Sequence, residues 1–174
     1  MIDLKTNIRS VPDFPKKGII FKDITTILKD PQSLKYTLVK LLSMTDNLKI
    51  DKVAGIEARG FMFGCMLAEK LNAGFVPIRK PGKLPADTIK ETYSLEYGTD
   101  TIEMHKDAIS PGDKVLLHDD LLATGGTACA AARLIEKAGG EIVLVSFIVE
   151  LCFLNGREKL KGYNIQSVVQ FDGE

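Results

Sequence analysis

The sequence predicts an α/β fold, a mostly parallel twisted sheet with flanking helices. Three observations carry that prediction. Short apolar runs at Lys52–Ile56, Gly74–Ile78 and 115–117 have the length and composition of buried parallel strands. Two of them, the first and the third, lead through a short loop into a helical pattern. Polar and charged groups collect where each run ends, which is the sheet edge where α/β proteins bind ligands.

Length and composition bound the rest. The chain has 174 residues, 45% apolar and 26% charged, enough for one domain with a real core. Lys plus Arg and Asp plus Glu both number 23, so no global charge favours nucleic acid or an anionic membrane. An anionic substrate would have to be held by local placement of charge. Cys65, Cys129 and Cys152 are scattered, with no CxxC and no His cluster, which argues against a disulfide framework or zinc site and fits a reducing compartment. The first ten residues, MIDLKTNIRS, lack an apolar signal core, and no run of about 18 apolar residues occurs. The expectation is a soluble, cytoplasmic protein with no nucleic-acid or membrane partner.

In chain order, residues 2–10 read as a short helix with Asp3 near its start. Pro12, Pro15 and Gly18 then break regular structure before residues 19–21 extend as a strand. Residues 31–44 form an amphipathic helix, with Pro31 in the first turn and Leu34, Leu38, Leu41 and Leu42 on one face. Lys52–Ile56 delivers Glu57, Ala58, Arg59 and Gly60 at its end, and residues 61–71 continue as an apolar helix. Gly74–Ile78 ends in Arg79, Lys80, Pro81, Gly82 and Lys83, three cations around a turn that could meet a pyrophosphate. Residues 86–92 read as a mobile loop, and 93–105 as a two-stranded antiparallel ribbon turning near Gly98. After the Ser110–Asp113 turn come the central strand and a helix over 127–138, ended by Gly139 and Gly140. A long β-branched strand (141–149), a short helix or turn (155–161) and an edge strand (163–171) complete the chain.

The densest chemistry lies in KVLLHDDLLATGGT, residues 114–127. The loop Ala123, Thr124, Gly125, Gly126, Thr127 can wrap a phosphate with backbone N–H groups and two hydroxyls, while the following helix adds its positive end. Asp119 and Asp120, placed at the strand's end, suit vicinal sugar hydroxyls with a divalent cation nearby. His118 reads as packing and is given no catalytic role.

Strand, acid pair and loop together resemble the phosphoribosyl-pyrophosphate (PRPP) motif of type I phosphoribosyltransferases. The segment VPDFP…GIIFKDIT resembles the entry segment of adenine phosphoribosyltransferases, and GIEARGFMFG, RKPGKLP and LCFLNGREKL extend the likeness from Arg9 to about Gln170. His118 departs from the family's usual aliphatic residue, Lys17 from its proline, and Lys22 from its common arginine.

The resemblance implies a set of expectations. One domain spans 1–174, with residues 1–30 as a hood over the base and 79–105 as a lid. Main-chain groups near Ile20 and Lys22 read adenine while Phe21 packs on its ring. Glu57, Ala58, Arg59, Arg79, Lys80 and Lys83 hold pyrophosphate, with a strained peptide at Glu57–Ala58 for which cis is the form to look for. Ala123–Thr127 binds the 5′-phosphate, with Asp119 and Asp120 at the ribose. Asp119, Asp120 and Arg59 join Glu96, the candidate base, as catalytic residues, and Tyr97 closes with the lid. Mg2+ is the implied cofactor, held mainly through substrate near Asp119 and Asp120, and a homodimer the implied assembly. The reaction implied is adenine plus PRPP to AMP plus pyrophosphate. A phosphoribosyltransferase for a 6-oxopurine or orotate, and a PRPP-sensing regulator, are the alternatives; no DNA-binding module or basic face supports the second.

Overall fold

The computed structural model describes residues 2–94 and 98–173. Its frame is a five-stranded, wholly parallel sheet. Ahead of it lie α1 (Leu4–Asn7), the antiparallel hairpin of β1 (Arg9–Pro12) and β2 (Ile20–Asp23), and α2 (Thr25–Leu28). Then follow α3 (Pro31–Ser43), β3 (Lys52–Ile56), α4 (Gly60–Lys70) and β4 (Gly74–Ile78). A second antiparallel ribbon is made by β5 (Thr88–Ser94) and β6 (Thr99–His105). The chain ends with β7 (Lys114–Leu122), α5 (Gly126–Lys137), β8 (Glu141–Leu151), two 3-10 segments (Cys152–Leu154 and Gly156–Leu160) and β9 (Ile165–Phe171).

Strand order is β4-β3-β7-β8-β9. The chain runs outward from β3 to β4, then returns to place β7 on the other side of β3, so the order reverses between β3 and β7. Helices cover opposite faces there. Phe63 and Leu67 of α4 pack with Leu38 and Leu41 of α3 in one core, whereas Ala130, Leu134 and Ile135 of α5 pack with Ile102 and Met104 of β6 in the other. A crevice at such a reversal is the natural ligand site of an open α/β sheet.

The local signals explain most boundaries. Asp30 accepts the N–H of Ser33 at 2.8 Å and Pro31 stands in the first turn, so α3 begins where its cap dictates. Several expectations need correction. The helix expected over residues 2–10 is only Leu4–Asn7, because Arg9 and Ser10 pair with Asp23 and Lys22 instead. The strand expected to stop before the acid pair runs on to Leu122, with Asp119 and Leu121 still in register with Phe147 and Val149 of β8. The loop expected over residues 86–92 is largely β5, whose Ile89 and Tyr93 pack toward the core. Its polar appearance comes from Glu91, which pairs with Arg133 and Lys137 on α5. Tyr93, Ile102 and Met104 are buried, so the base of the ribbon belongs to the body of the fold.

Candidate active site

The site is built at the carboxyl ends of β3, β4 and β7. Between β3 and α4 the chain turns through Glu57, Ala58 and Arg59, and the Glu57–Ala58 peptide is cis. Gly60 starts α4 against the end of β7. A Cβ there would lie 2.9 Å from the His118 carbonyl oxygen and 3.1 Å from Asp119 Oδ1, so a glycine is what lets the start of α4 close on β7.

Glu57 organises the cations. Its Oε2 accepts Arg79 Nε at 3.1 Å and the Lys80 N–H at 2.9 Å, and its Oε1 accepts Lys83 Nζ at 3.1 Å. Burial alone would raise its pKa, but these donors outweigh burial and hold it below the usual carboxylate range. Lys80 Nζ is paired with Asp100 of β6. Burial acts to lower the Lys80 pKa, yet the bond it donates to Asp100 and that carboxylate's charge prevail and keep it raised. The three cations therefore converge through carboxylates rather than lying as a solvated run.

Arg59 pairs with Asp120, and its guanidinium stands 5.1 Å from the centroid of the Phe21 ring on β2. Through that one side chain the hairpin touches the acid pair. Phe14 packs edge-on against Phe21 with centroids 5.2 Å apart. Lys22 points the other way: it is buried, donates to Ser10 Oγ at 3.1 Å and lies over the Phe171 ring. Only the main chain of Lys22 is available beside Ile20 and Phe21.

Asp119 and Asp120 behave differently. Asp119 Oδ1 accepts the Asp120 N–H at 2.8 Å, and burial, reinforced by the neighbouring Asp120 charge, pushes the Asp119 carboxyl well above its ordinary range. His118 is fully buried and donates to or accepts from Ser146 Oγ through Nδ1 at 2.9 Å, while Nε2 has no partner. Burial lowers its pKa to about 4, so it is a neutral packing residue.

Two cavities meet at this edge. One of about 210 Å³ is lined by Glu57, Ala58, Arg59, Lys80, Asp119 and Asp120 together with Tyr93, Asp100 and Thr127. The second, about 180 Å³, is bounded by Asp119 and the whole loop Ala123–Thr127. Asp119 and Thr127 belong to both. Gly125 adopts φ 75°, a left-handed conformation open to glycine, and presents the start of α5 to the second cavity.

The sequence brought most of these residues forward, but Glu96 and Tyr97 lie outside the described residues. It missed others. Tyr93 Oη bonds Asp100 Oδ2 at 3.1 Å and Thr127 Oγ1 at 3.0 Å, tying the ribbon to the loop. Glu103, buried, accepts the Gly82 N–H at 2.9 Å and fixes the cationic turn to the ribbon. The segment Gly156–Leu160 backs the loop: a Cβ on Gly156 would fall 2.2 Å from the Ala123 carbonyl oxygen. That segment is clamped by Arg157, whose Nε and Nη2 donate to Glu150 at 2.5 and 2.7 Å. The family text LCFLNGREKL was the available signal, without indicating contact with the loop.

No group of three or more His, Cys, Asp and Glu among the described residues is placed to hold a metal by itself. No helix among them is long and apolar enough to cross a membrane. Comparison with known proteins agrees with the site. Residues 25–168 match the phosphoribosyl transferase domain. A relative from Christiangramia forsetii named adenine phosphoribosyltransferase is 58% identical over 170 residues, spanning 98% of this chain and 99% of the relative. The crystal structure of adenine phosphoribosyltransferase from Thermoanaerobacter pseudethanolicus superposes with a TM-score of 0.94 at 54% identity, covering 96% of this chain and 97% of that one. The Saccharomyces cerevisiae enzyme, complexed with an imino-altritol bisphosphate and adenine, gives a TM-score of 0.88 at 41% identity over 95% and 96% of the two chains. A site of twin aspartates, a left-handed glycine loop and converging cations, on a chain this similar throughout, places the protein among the phosphoribosyltransferases, in the adenine phosphoribosyltransferase family.

Proposed function

We propose that the enzyme forms AMP and pyrophosphate from adenine and PRPP with Mg2+, in cytoplasmic purine salvage. The carrying observation is the pair of adjoining cavities that share Asp119 and Thr127, one holding Arg59 and Lys80 among its acids and the other bounded by the loop Ala123–Thr127. Because the two cavities share lining residues, a single molecule with charged groups at both ends can occupy both. In this reading the 5′-phosphate rests on Ala123–Thr127, where N–H groups and the α5 terminus favour an anion. The ribose hydroxyls face Asp119 and Asp120, and pyrophosphate takes the cavity lined by Glu57, Ala58, Arg59 and Lys80, with Arg79 and Lys83 joined to it through Glu57. Adenine lies under residues 1–30, against Phe21 and the main chain of Ile20 and Lys22.

Adenine N9 attacks C1′ as the C1′–O bond to pyrophosphate breaks, and the N9 proton is lost to a base, for which Glu96 is our candidate. Catalysis is mainly positioning and electrostatics. The cations hold the leaving charge, and the aspartates stabilise the positive sugar. Residues 79–105, carrying Tyr97, cover the reacting atoms and keep water away. Two carboxylates plus substrate oxygens suit an ion that keeps several waters and needs no protein cage, so Asp119 and Asp120 fit Mg2+. When bound, it neutralises pyrophosphate charge. The homodimer belongs to the same reading, and sedimentation reads it directly.

Turnover of radiolabelled adenine with PRPP and Mg2+ tests the proposal. Pyrophosphate release from PRPP that adenine supports, with AMP as the nucleotide product, and that hypoxanthine or orotate does not support is the expected result. Equal use of hypoxanthine overturns the base assignment.

A further inference from the structure

We propose that Lys159 is a phosphate-binding residue, supplying the side-chain cation for the ester held by the loop Ala123–Thr127. The inference rests on the loop assignment above and adds a residue to it. The side chains lining the loop cavity include no lysine or arginine, and its one ionisable member is the carboxyl of Asp119. Backbone amides and the start of α5 offer only partial charges, about half an elementary charge for the helix end, against a phosphate monoester near −2. A full positive charge is missing from the lining itself.

Lys159 stands where that charge is needed. Its Nζ lies 3.9 Å from the point a Cβ on Gly126 would occupy, beside the first residue of α5. The side chain is exposed and no carboxylate among the described residues pairs with it. Every other cation at the sheet edge is engaged at the opposite cavity: Arg59 with Asp120, Arg79 and Lys83 with Glu57, and Lys80 with Asp100.

The backbone that carries Lys159 is fixed on both sides. Two residues before it, Arg157 forks onto Glu150 and also donates to the Ile165 carbonyl at 3.2 Å. One residue after it, Leu160 is wholly buried in the core. Gly156 touches the loop itself. So fixed a base keeps the ammonium within reach of the loop mouth, and only the side chain's own rotamers remain to be ordered when an anion arrives.

The test uses ribose 5-phosphate, titrated calorimetrically into the full-length enzyme and Lys159→Gln. Because Lys159 is exposed, the variant is expected to keep its melting temperature. Affinity for ribose 5-phosphate should fall about tenfold and depend less steeply on salt, while Lys159→Arg stays within about threefold of wild type and adenine binding is unchanged in both. The amide resonances of Gly125, Gly126 and Thr127 in the wild-type 15N spectrum report the loop independently. If they move with ligand but Lys159→Gln binds as tightly as wild type, the role of Lys159 is overturned and the loop stands. If ribose 5-phosphate binds without moving them, the loop assignment fails and this proposal falls with it.

Discussion

Gly125 and Gly156 meet backbone to backbone. A Cβ on Gly125 would come within 2.3 Å of the Gly156 carbonyl oxygen, in addition to the strain of placing a side chain at φ 75°. The loop therefore owes its curvature to a segment some thirty residues further along, pressed against it from behind.

Gly156→Ala tests that dependence without changing the loop's own sequence. Its methyl must displace the Ala123 carbonyl, an overpacking worth about 1–3 kcal/mol. We expect a lower melting temperature and a KM for PRPP raised at least about tenfold by the shifted loop, with adenine affinity unchanged. Initial-rate kinetics with each substrate varied in turn separates the two.

Asp120→Asn addresses the acid pair. The carboxylate binds Arg59, whose side chain is 42% exposed and can turn to water once released, so the variant should fold normally. What it loses is negative charge beside a sugar that becomes positive in the transition state. A fall in kcat of about a hundredfold, with circular dichroism unchanged, is the expected outcome. Turnover within threefold of wild type would remove Asp120 from the mechanism.

Tyr93→Phe removes a hydroxyl that joins Asp100 to Thr127 and leaves the buried ring in place. Each of the two hydrogen bonds is worth about 1 kcal/mol net, so stability should fall by about 1–2 kcal/mol and KM for PRPP should rise about fivefold as Thr127 loses its partner. An equal loss in kcat alone would place Tyr93 at the reacting centre instead.

What the sequence made legible follows from how local each signal was. Strands β3 and β4 are legible to the residue because each apolar run carries its own boundary, and Pro31 announces α3, whereas the Asp30 cap shows only in the structure. Strand β7 was read short because its acids interrupt the apolar run, although Leu121 and Leu122 resume it and β8 keeps pairing. Strand β5 looked like loop because Glu91 is satisfied by two cations on α5, a partnership formed across more than forty residues. The twin aspartates and the Thr/Gly loop are contiguous in sequence, and so was their grouping. The contacts of Gly156, Tyr93 and Glu103 exist only once the sheet edge is assembled, and no periodicity announces them.

Glu150→Gln reaches the loop through its most remote support. Glu150 accepts both prongs of Arg157, with Ser167 Oγ at 2.6 Å and Gln170 Nε2 at 3.1 Å, and the Arg157 bond, joined by those two and opposed by burial, lowers its pKa to about 2. The unfolded chain takes up this proton near pH 4.5 and the folded chain only near pH 2. The carboxylate thus contributes stability that is fully present above pH 4.5 and disappears as pH falls to 2. At about 1.4 kcal/mol per unit the shift corresponds to at most about 3.5 kcal/mol, and solvent screening of Arg157, whose side chain is 41% exposed, reduces the expected loss of stability in the variant to about 2–3 kcal/mol at pH 7. Chemical denaturation at several pH values should show that gap closing between pH 4.5 and 2. Because Arg157 anchors Gly156 and Lys159, weaker PRPP binding should accompany the loss at neutral pH. A constant gap across the acid range would mean that charge on Glu150 is not what clamps the segment.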